Sequence, residues 1–248
     1  MHQPTTTSPR GAAPLSRARV LVVGVGGLGA PAAQALAQAG VGALGLVDPD
    51  RVEVSNLHRQ PLYDDADIGR RKVDAAAARL AALAPGCRIE TWAERFDAGH
   101  GWLARRFDVI VDGTDTVAAK FVVNDVAVAA GVPLVHAGVL GFRAQLLTVL
   151  PGTSACYRCV FEEAPPPGEA PSCQEAGVLG PVPVLAGALQ AADAIRLLLG
   201  ERPLFAGRLL TIDLASATWR QVPLARNPVC TACAAPLGAD LAGRSEAP

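Results

Sequence analysis

VLVVGVGGLG, residues 20–29, is an apolar run that ends in a glycine-rich turn, and its reading decides the fold. The aliphatic residues 20–23 read as a buried strand, and the Ala-rich segment after Gly29 reads as a helix that tolerates Pro31 in its first turn. A strand, a glycine turn and a helix in that order point backbone N–H groups and the positive end of the helix dipole at a phosphate. Asp48 ends the next apolar run, 19 residues past Gly29. A carboxylate there accepts hydrogen bonds from ribose hydroxyls. By itself this pair also fits a nicotinamide cofactor, and the glycines alone also fit a tight packing turn.

Outward from that stretch, the segments 43–47, 88–92, 108–111 and 133–137 read as further short buried strands. Helical patterns at 30–39, 68–83 and 117–130 lie between several of them. The alternation predicts an α/β fold: a Rossmann-like, doubly wound, mostly parallel sheet. Residues 142–152 and 207–224 then read as antiparallel strands that extend it, with a helix near 184–199 between them. EEAPPPGEAPS, residues 162–172, is poor in helix and strand formers and predicts a mobile loop. The expected organisation is a flexible arm at 1–16, one domain at 17–236 and a flexible tail at 237–248. The domain divides into a first, nucleotide-binding part, 17–140, and a second part, 141–236.

A formal net charge of −1 gives no reason to expect a nucleic-acid partner. Gly, Pro and charged residues interrupt every apolar run short of the roughly 20 residues that span a bilayer. The opening MHQPTTTSPRGAAPLSR has no apolar core of a signal peptide, so the expected location is the cytoplasm.

The residues after Asp48 separate the nucleotide readings. The segment 48–80 places Asn56, Arg59 and Gln60 in a polar loop and Lys72 near the start of a helix. A nicotinamide cofactor gives little reason for two fixed cations, whereas a triphosphate being cleaved builds charge that Arg and Lys stabilise. VIVDGTDT ends a strand with Asp112 and Asp115, where a carboxylate suits Mg²⁺. Taken singly, Arg59 and Lys72 also read as solvated cations and Asp115 as a helix N-cap. Cys156 and Cys159 form one C-x-x-C pair and Cys230 and Cys233 another, four thiolates of the type that close a structural Zn²⁺ site. Two local disulfides are the alternative, disfavoured in a reducing compartment. Cys87 reads as an inert core thiol.

RVLVVGVGGLG, GLVDPDRVEVSNLHRQ, DIGRRKVDAA, DGTDTVAAKFVVND, CYRC, SCQEAGVLGPV and NPVCTAC, in this order, resemble the ThiF/MoeB/HesA family, bacterial relatives of ubiquitin-activating E1 enzymes. The resemblance implies ATP-dependent adenylation of the C-terminal glycine carboxylate of a ubiquitin-like sulfur carrier protein ending in Gly-Gly, for thiamine or molybdopterin synthesis. It implies that Gly26 and Gly27 lie under the phosphates and Asp48 holds the ribose. Asn56, Arg59 and Lys72 would contact the phosphates, and Asp115 would bind Mg²⁺. Cys173 aligns with the cysteine some relatives use for covalent sulfur or acyl transfer, and a homodimer is the family expectation. The zinc cysteines are expected to be remote from the chemistry.

This sequence also departs from the family pattern. The arm SPRGAAPLSRAR lacks the family's RYxRQ segment, Thr116 stands where Asn is common, and Lys120 where Arg is common. With no rhodanese segment after Cys233, a separate sulfur donor is expected. Two other readings remain open from sequence: a non-catalytic E1-like binding subunit, and an enzyme that adenylates a peptide or tRNA-base carboxylate.

Overall fold

Alternate residues of the first strand, β1 (Arg19–Val23), serve two different cores. Val20 and Val22 pack into one hydrophobic layer, while Leu21 and Val23 pack into the other. A strand buried on both faces must be apolar at every position, which is why β1 carries no polar alternation after Arg19. The same holds for β2 (Ala43–Val47) and for β4 (Val109–Asp112) up to its last residue, Asp112, both strands being buried throughout. The computed structural model describes residues 15–163, 166 and 177–234.

With β3 (Arg88–Trp92), β5 (Leu134–Leu140), β6 (Arg143–Val149), β7 (Arg208–Asp213) and β8 (Thr218–Pro223), these strands form one eight-stranded sheet in the order β3-β2-β1-β4-β5-β6-β7-β8. The first five pair in parallel and the last three join them as antiparallel neighbours. The expected mixed sheet, parallel and then antiparallel, is therefore observed. One strand differs from its reading: β3 has the anticipated bounds, but it is the sheet edge and only half buried. That explains its polar sequence RIETW. β5 continues to Leu140, beyond the anticipated end, because β6 pairs with it along its whole length.

Helices α1 (Gly29–Gln38), α2 (Lys72–Leu83) and α6 (Pro181–Leu198) cover one face, and α3 (Gly101–Ala104) and α4 (Val117–Ala130) the other. α4 has the predicted bounds: Thr116 caps it through Oγ1 on the Ala119 N–H, and Gly131, at φ +71°, closes it in the left-handed region. α2 starts at Lys72, later than the apolar periodicity suggests. Asp65–Asp67 form a separate 3-10 turn, and Gly69 at φ +83° breaks the path before Lys72. Leu15–Arg17 form a 3-10 turn with Leu15 buried, although Leu15 and Ser16 belong to the segment expected as an arm.

α6 is the one helix among the described residues long and apolar enough to span a bilayer, with a mean hydropathy of 1.2. Here it packs on α1 and the sheet, and two buried polar residues fix it there. Gln190 Nε2 donates to the carbonyls of Asp112 and Val135, and Asp193 accepts from the Thr148 hydroxyl and the Leu204 and Phe205 N–H groups.

β1 connects onward to β2 on one side, and the chain later returns to place β4 on its other side. This reversal leaves a crevice beyond the carboxyl ends of β1 and β4, the usual place for a ligand in such sheets.

Candidate active site

The crevice is made possible by three glycines pressed together. Gly24 sits at φ +84°, and a Cβ on it would lie 2.7 Å from the Gly113 carbonyl carbon. A Cβ on Gly29 would lie 1.8 Å from the Gly24 oxygen, and one on Gly113 would lie 2.4 Å from it. The turn after β1 and the turn after β4 therefore touch backbone to backbone. Above them opens a cavity of about 370 Å³. Gly26 and Gly27 form its floor at the start of α1, whose N-cap residue Leu28 provides no side-chain cap and whose first turn has no acidic residue. Uncapped N–H groups at a helix start suit an anion.

Asp48 follows β2 and lies almost wholly buried at the cavity wall. Its Oδ2 accepts from the Val25 N–H at 2.7 Å and its Oδ1 from the Asp50 N–H at 2.8 Å. Burial raises its pKa, against the opposing pull of Lys72 and these two hydrogen bonds. The Tyr63 hydroxyl, donating to the Val25 carbonyl at 2.7 Å, braces the same corner.

Lys72 is the first residue of α2; its stem is buried and its Nζ lies 2.9 Å from Asp50 Oδ2. Asn56 is buried in the 3-10 turn Val54–Asn56 and its carbonyl accepts from the Arg59 and Gln60 N–H groups. Arg59 donates from Nη1 to the Ser55 carbonyl at 2.7 Å. Gly26, Gly27, Asp48, Asn56, Arg59, Lys72 and Asp115, all anticipated from sequence, line this one cavity. Arg51, Arg95 and Gln60 line it as well, and sequence alone does not mark them as ligand-binding. The Gln60 Oε1 is buried without a partner, the kind of atom a bound ligand satisfies. The one clue to Arg51 is its place directly after the Asp48 loop; Arg95 lies after an edge strand and carries no comparable signal.

Asp112 and Asp115, three residues apart, have opposite surroundings. Asp112 is fully buried and takes hydrogen bonds from the Thr114 N–H and hydroxyl and from His136 Nδ1. Burial works to raise its pKa, but Lys120, His136 and Thr114 together hold it well below the usual carboxylate range. With no exposure and both oxygens facing partners, it is closed to an entering Mg²⁺ ion. Asp115 is exposed, bonded to no described residue, and borders both this cavity and a second one of about 610 Å³. A carboxylate that no described residue engages, beside an anion-suited cavity, is of the kind that fits Mg²⁺, which takes one or two carboxylates and keeps several waters. The second cavity lies along β5, β6 and β7, with Lys120, Arg143, Tyr157, Asp213 and Arg220 on its walls.

The four paired cysteines converge. Cys156 Sγ lies 3.8 Å from Cys159 Sγ and 3.6 Å from Cys230 Sγ, and Cys159 Sγ lies 3.4 Å from Cys233 Sγ. All four sulfurs lie within 4.8 Å of one another. These separations exclude disulfides, whose bond is about 2.05 Å. They match the edges of about 3.8 Å of a tetrahedron with Zn–S bonds of about 2.3 Å. Tyr157, next to Cys156, lines the second cavity from the short helix α5 (Tyr157–Phe161). Cys87 is buried, and burial pushes its thiol pKa up to about 11, in keeping with an inert role. Cys173 and most of the Pro-rich segment lie outside the described residues.

Comparison with known proteins agrees with this layout. The chain is 44% identical over 231 residues to the sulfur carrier protein adenylyltransferase of Thermus thermophilus, covering 91% of this chain and 85% of that protein. It is 44% identical over 227 residues to the SAMP-activating enzyme E1 of Haloferax volcanii, covering 91% and 83%. The crystal structure of E. coli MccB with ATP superimposes with a TM-score of 0.79 at 25% identity, covering 89% of this chain and 68% of that one. The ThiF family model matches residues 3–232, nearly the whole length over which the glycine turn, the cations, the Asp115 turn and the four cysteines are arrayed, and the chain belongs to that family.

Proposed function

We propose that this chain is an ATP-dependent adenylyltransferase that activates the C-terminal glycine carboxylate of a ubiquitin-like sulfur carrier. The observation that carries the reading is Asp115, which borders the glycine-floored cavity on one side and the second cavity on the other. An adenylating enzyme needs two such spaces meeting at one point: one for the nucleotide and one for the acyl group. In this reading ATP lies over Gly26 and Gly27, its ribose on Asp48, its phosphates among Asn56, Arg59 and Lys72. The carrier's C-terminal residues occupy the second cavity.

The attacking carboxylate is already ionised at neutral pH, so the step needs no strong general base. One carboxylate oxygen attacks the α-phosphorus in line, the bond from that phosphorus to the bridging oxygen breaks, and pyrophosphate leaves with the electron pair. Catalysis rests on bringing two anions together and on stabilising the charge that builds on the departing phosphates. Arg59 and Lys72 supply that stabilisation. Mg²⁺ held by Asp115 would screen the phosphates when bound. Zn²⁺ held by Cys156, Cys159, Cys230 and Cys233 would be structural. The extent of identity to the Thermus and Haloferax enzymes favours a protein carrier over the peptide alternative. A homodimer, a separate sulfur donor and a cytoplasmic location complete the reading.

ATP–pyrophosphate exchange with the purified chain and Mg²⁺, with and without small carrier proteins ending in Gly-Gly, tests this reading. Exchange that depends on one carrier is expected. Nucleotide binding without exchange for every candidate carrier would return the chain to the class of E1-like binding subunits.

A further inference from the structure

Asp115 lies in the turn between β4 and α4, and its neighbours are tied down from beneath. All three polar groups of Thr114 have partners: its N–H donates to Asp112 Oδ1 at 2.9 Å, its hydroxyl to the same oxygen at 2.6 Å, and its carbonyl accepts from Lys120 Nζ at 2.6 Å. On the other side, Thr116 caps α4 and its carbonyl accepts from the Lys120 N–H. Gly113 is pressed against Gly24. Asp115 is thus the one residue of an otherwise fixed turn whose side chain no described residue holds.

Three buried residues do the fixing. Lys120 Nζ donates a second bond to the Ala137 carbonyl at 2.7 Å and lies 3.6 Å from Asp112 Oδ2, so it joins the turn to β5. His136, on β5, approaches Asp112 Oδ2 through Nδ1 at 2.7 Å. An ionised carboxylate only accepts, so Nδ1 carries the proton. The other ring nitrogen, Nε2, is then a buried acceptor with no partner among the described residues, and the ring packs on Tyr157 at 4.5 Å. An unpaired buried acceptor costs about 1–3 kcal/mol, which an apolar residue of similar size would avoid. What imidazole supplies and an apolar side chain does not is the donor to Asp112.

We infer that Lys120 and His136 are positioning residues which, through Asp112, hold the 113–116 turn so that Asp115 stays at the boundary of the two cavities. The inference rests on the reading of Asp115 as the Mg²⁺-bearing carboxylate. Groups that orient a metal ligand without touching the metal typically change metal affinity by about 10–100-fold when removed. Lys120 and His136 therefore govern the Mg²⁺ requirement more than the affinity for nucleotide itself.

The test is equilibrium binding of a fluorescent ATP analogue to the full chain across a Mg²⁺ titration, which needs neither carrier nor turnover. Lys120→Met and His136→Leu should raise the Mg²⁺ concentration for half-maximal effect about tenfold. Binding without Mg²⁺ should stay within threefold, roughly RT ln 3 of free energy. Lys120→Arg and His136→Asn keep the donors and should restore most of the loss. Thr114→Val removes one hydroxyl from the turn and should shift the titration in the same direction, even if the buried substitutions prevent folding. Asp115→Asn is the reference. If it shifts the Mg²⁺ dependence while Thr114→Val, Lys120→Met and His136→Leu do not, the inference is overturned and the reading of Asp115 stands. If Asp115→Asn itself titrates like the parent, the reading of Asp115 fails and the inference falls with it.

Discussion

Lys72 and Asp50 form an ion pair whose two halves differ in exposure: the lysine side chain is 8% exposed and the aspartate 62%. A pair open to water on one side holds its partner weakly. The ammonium is thus preplaced at the cavity yet free to exchange Asp50 for phosphate oxygens. Lys72→Ala and Arg59→Ala should each lower the exchange rate about 100-fold or more, the usual scale for one lost charge-stabilising donor. Calorimetric ATP affinity should change far less, and an unchanged rate in either variant would remove that residue from the mechanism. His100 provides a residue-scale test of pH dependence. Burial lowers its pKa, but contacts to Glu94 at 3.1 Å and Asp97 at 2.8 Å outweigh this and raise it above the ordinary 6.5. Its ring stacks on Phe96, which with Arg95 lines the nucleotide cavity. A raised folded pKa means the stabilisation is fully present below the unfolded pKa and lost as pH rises through the folded one. The melting temperature of the parent should therefore exceed that of His100→Gln most in mildly acidic buffer, with the gap closing in alkaline buffer.

At the scale of elements, the glycine turn and α1 are one construction. Gly29→Ala would drive a Cβ into the Gly24 carbonyl oxygen, so chemical denaturation should show a loss of at least about 2 kcal/mol. Gly40→Ala, where φ is +93° but no atom lies within 4 Å, should cost only about 1 kcal/mol for the backbone conformation. Equal losses at the two positions would mean that close packing of the two turns contributes nothing. The long elements are legible in the sequence because their residues obey one period. Apart from Arg19 at the start of β1 and Asp112 at the end of β4, the strands β1, β2 and β4 are apolar runs buried on both faces, and α4 carries its own start and stop in Thr116 and Gly131. The short helices α3 and α5 are not, since four or five residues hold no period to read. The start of α2 is misleading in sequence because Ile68 continues the apolar spacing, while Gly69 in the left-handed region breaks the backbone path.

At the scale of the molecule, the cysteine cluster joins α5 to the segment around Cys230 and Cys233, across a gap of 74 residues in sequence. Arg226 reinforces the junction, donating to the carbonyls of Gly152 and Cys233. One Zn²⁺ per chain should be found by elemental analysis. Its removal by a strong chelator should lower the melting temperature by several degrees, in line with the coordination energy of such sites, and make these thiols reactive toward a thiol reagent. Because Tyr157 links the cluster to the second cavity, chelation should also weaken carrier binding before the nucleotide cavity loses ATP. Loss of both affinities in parallel would show instead that the metal supports only the fold as a whole.

The sequence by itself determined the parts that local order dictates: the strand-turn-helix around Gly24, Asp48 at the end of the next strand, the cations after it and the two C-x-x-C pairs. Each is a contiguous pattern whose chemistry depends on neighbours a few residues apart. The resemblance already singles out Asp115, but only the tertiary structure shows how differently Asp112 and Asp115, identical in type and close in sequence, are surrounded. Their roles depend on Lys120 and His136, which α4 and β5 bring beneath the turn. The structure also set the four sulfurs at metal-binding distances and opened a second cavity against Asp115. Burial, dielectric and the meeting of two cavities are properties of packed elements, and no local pattern encodes them.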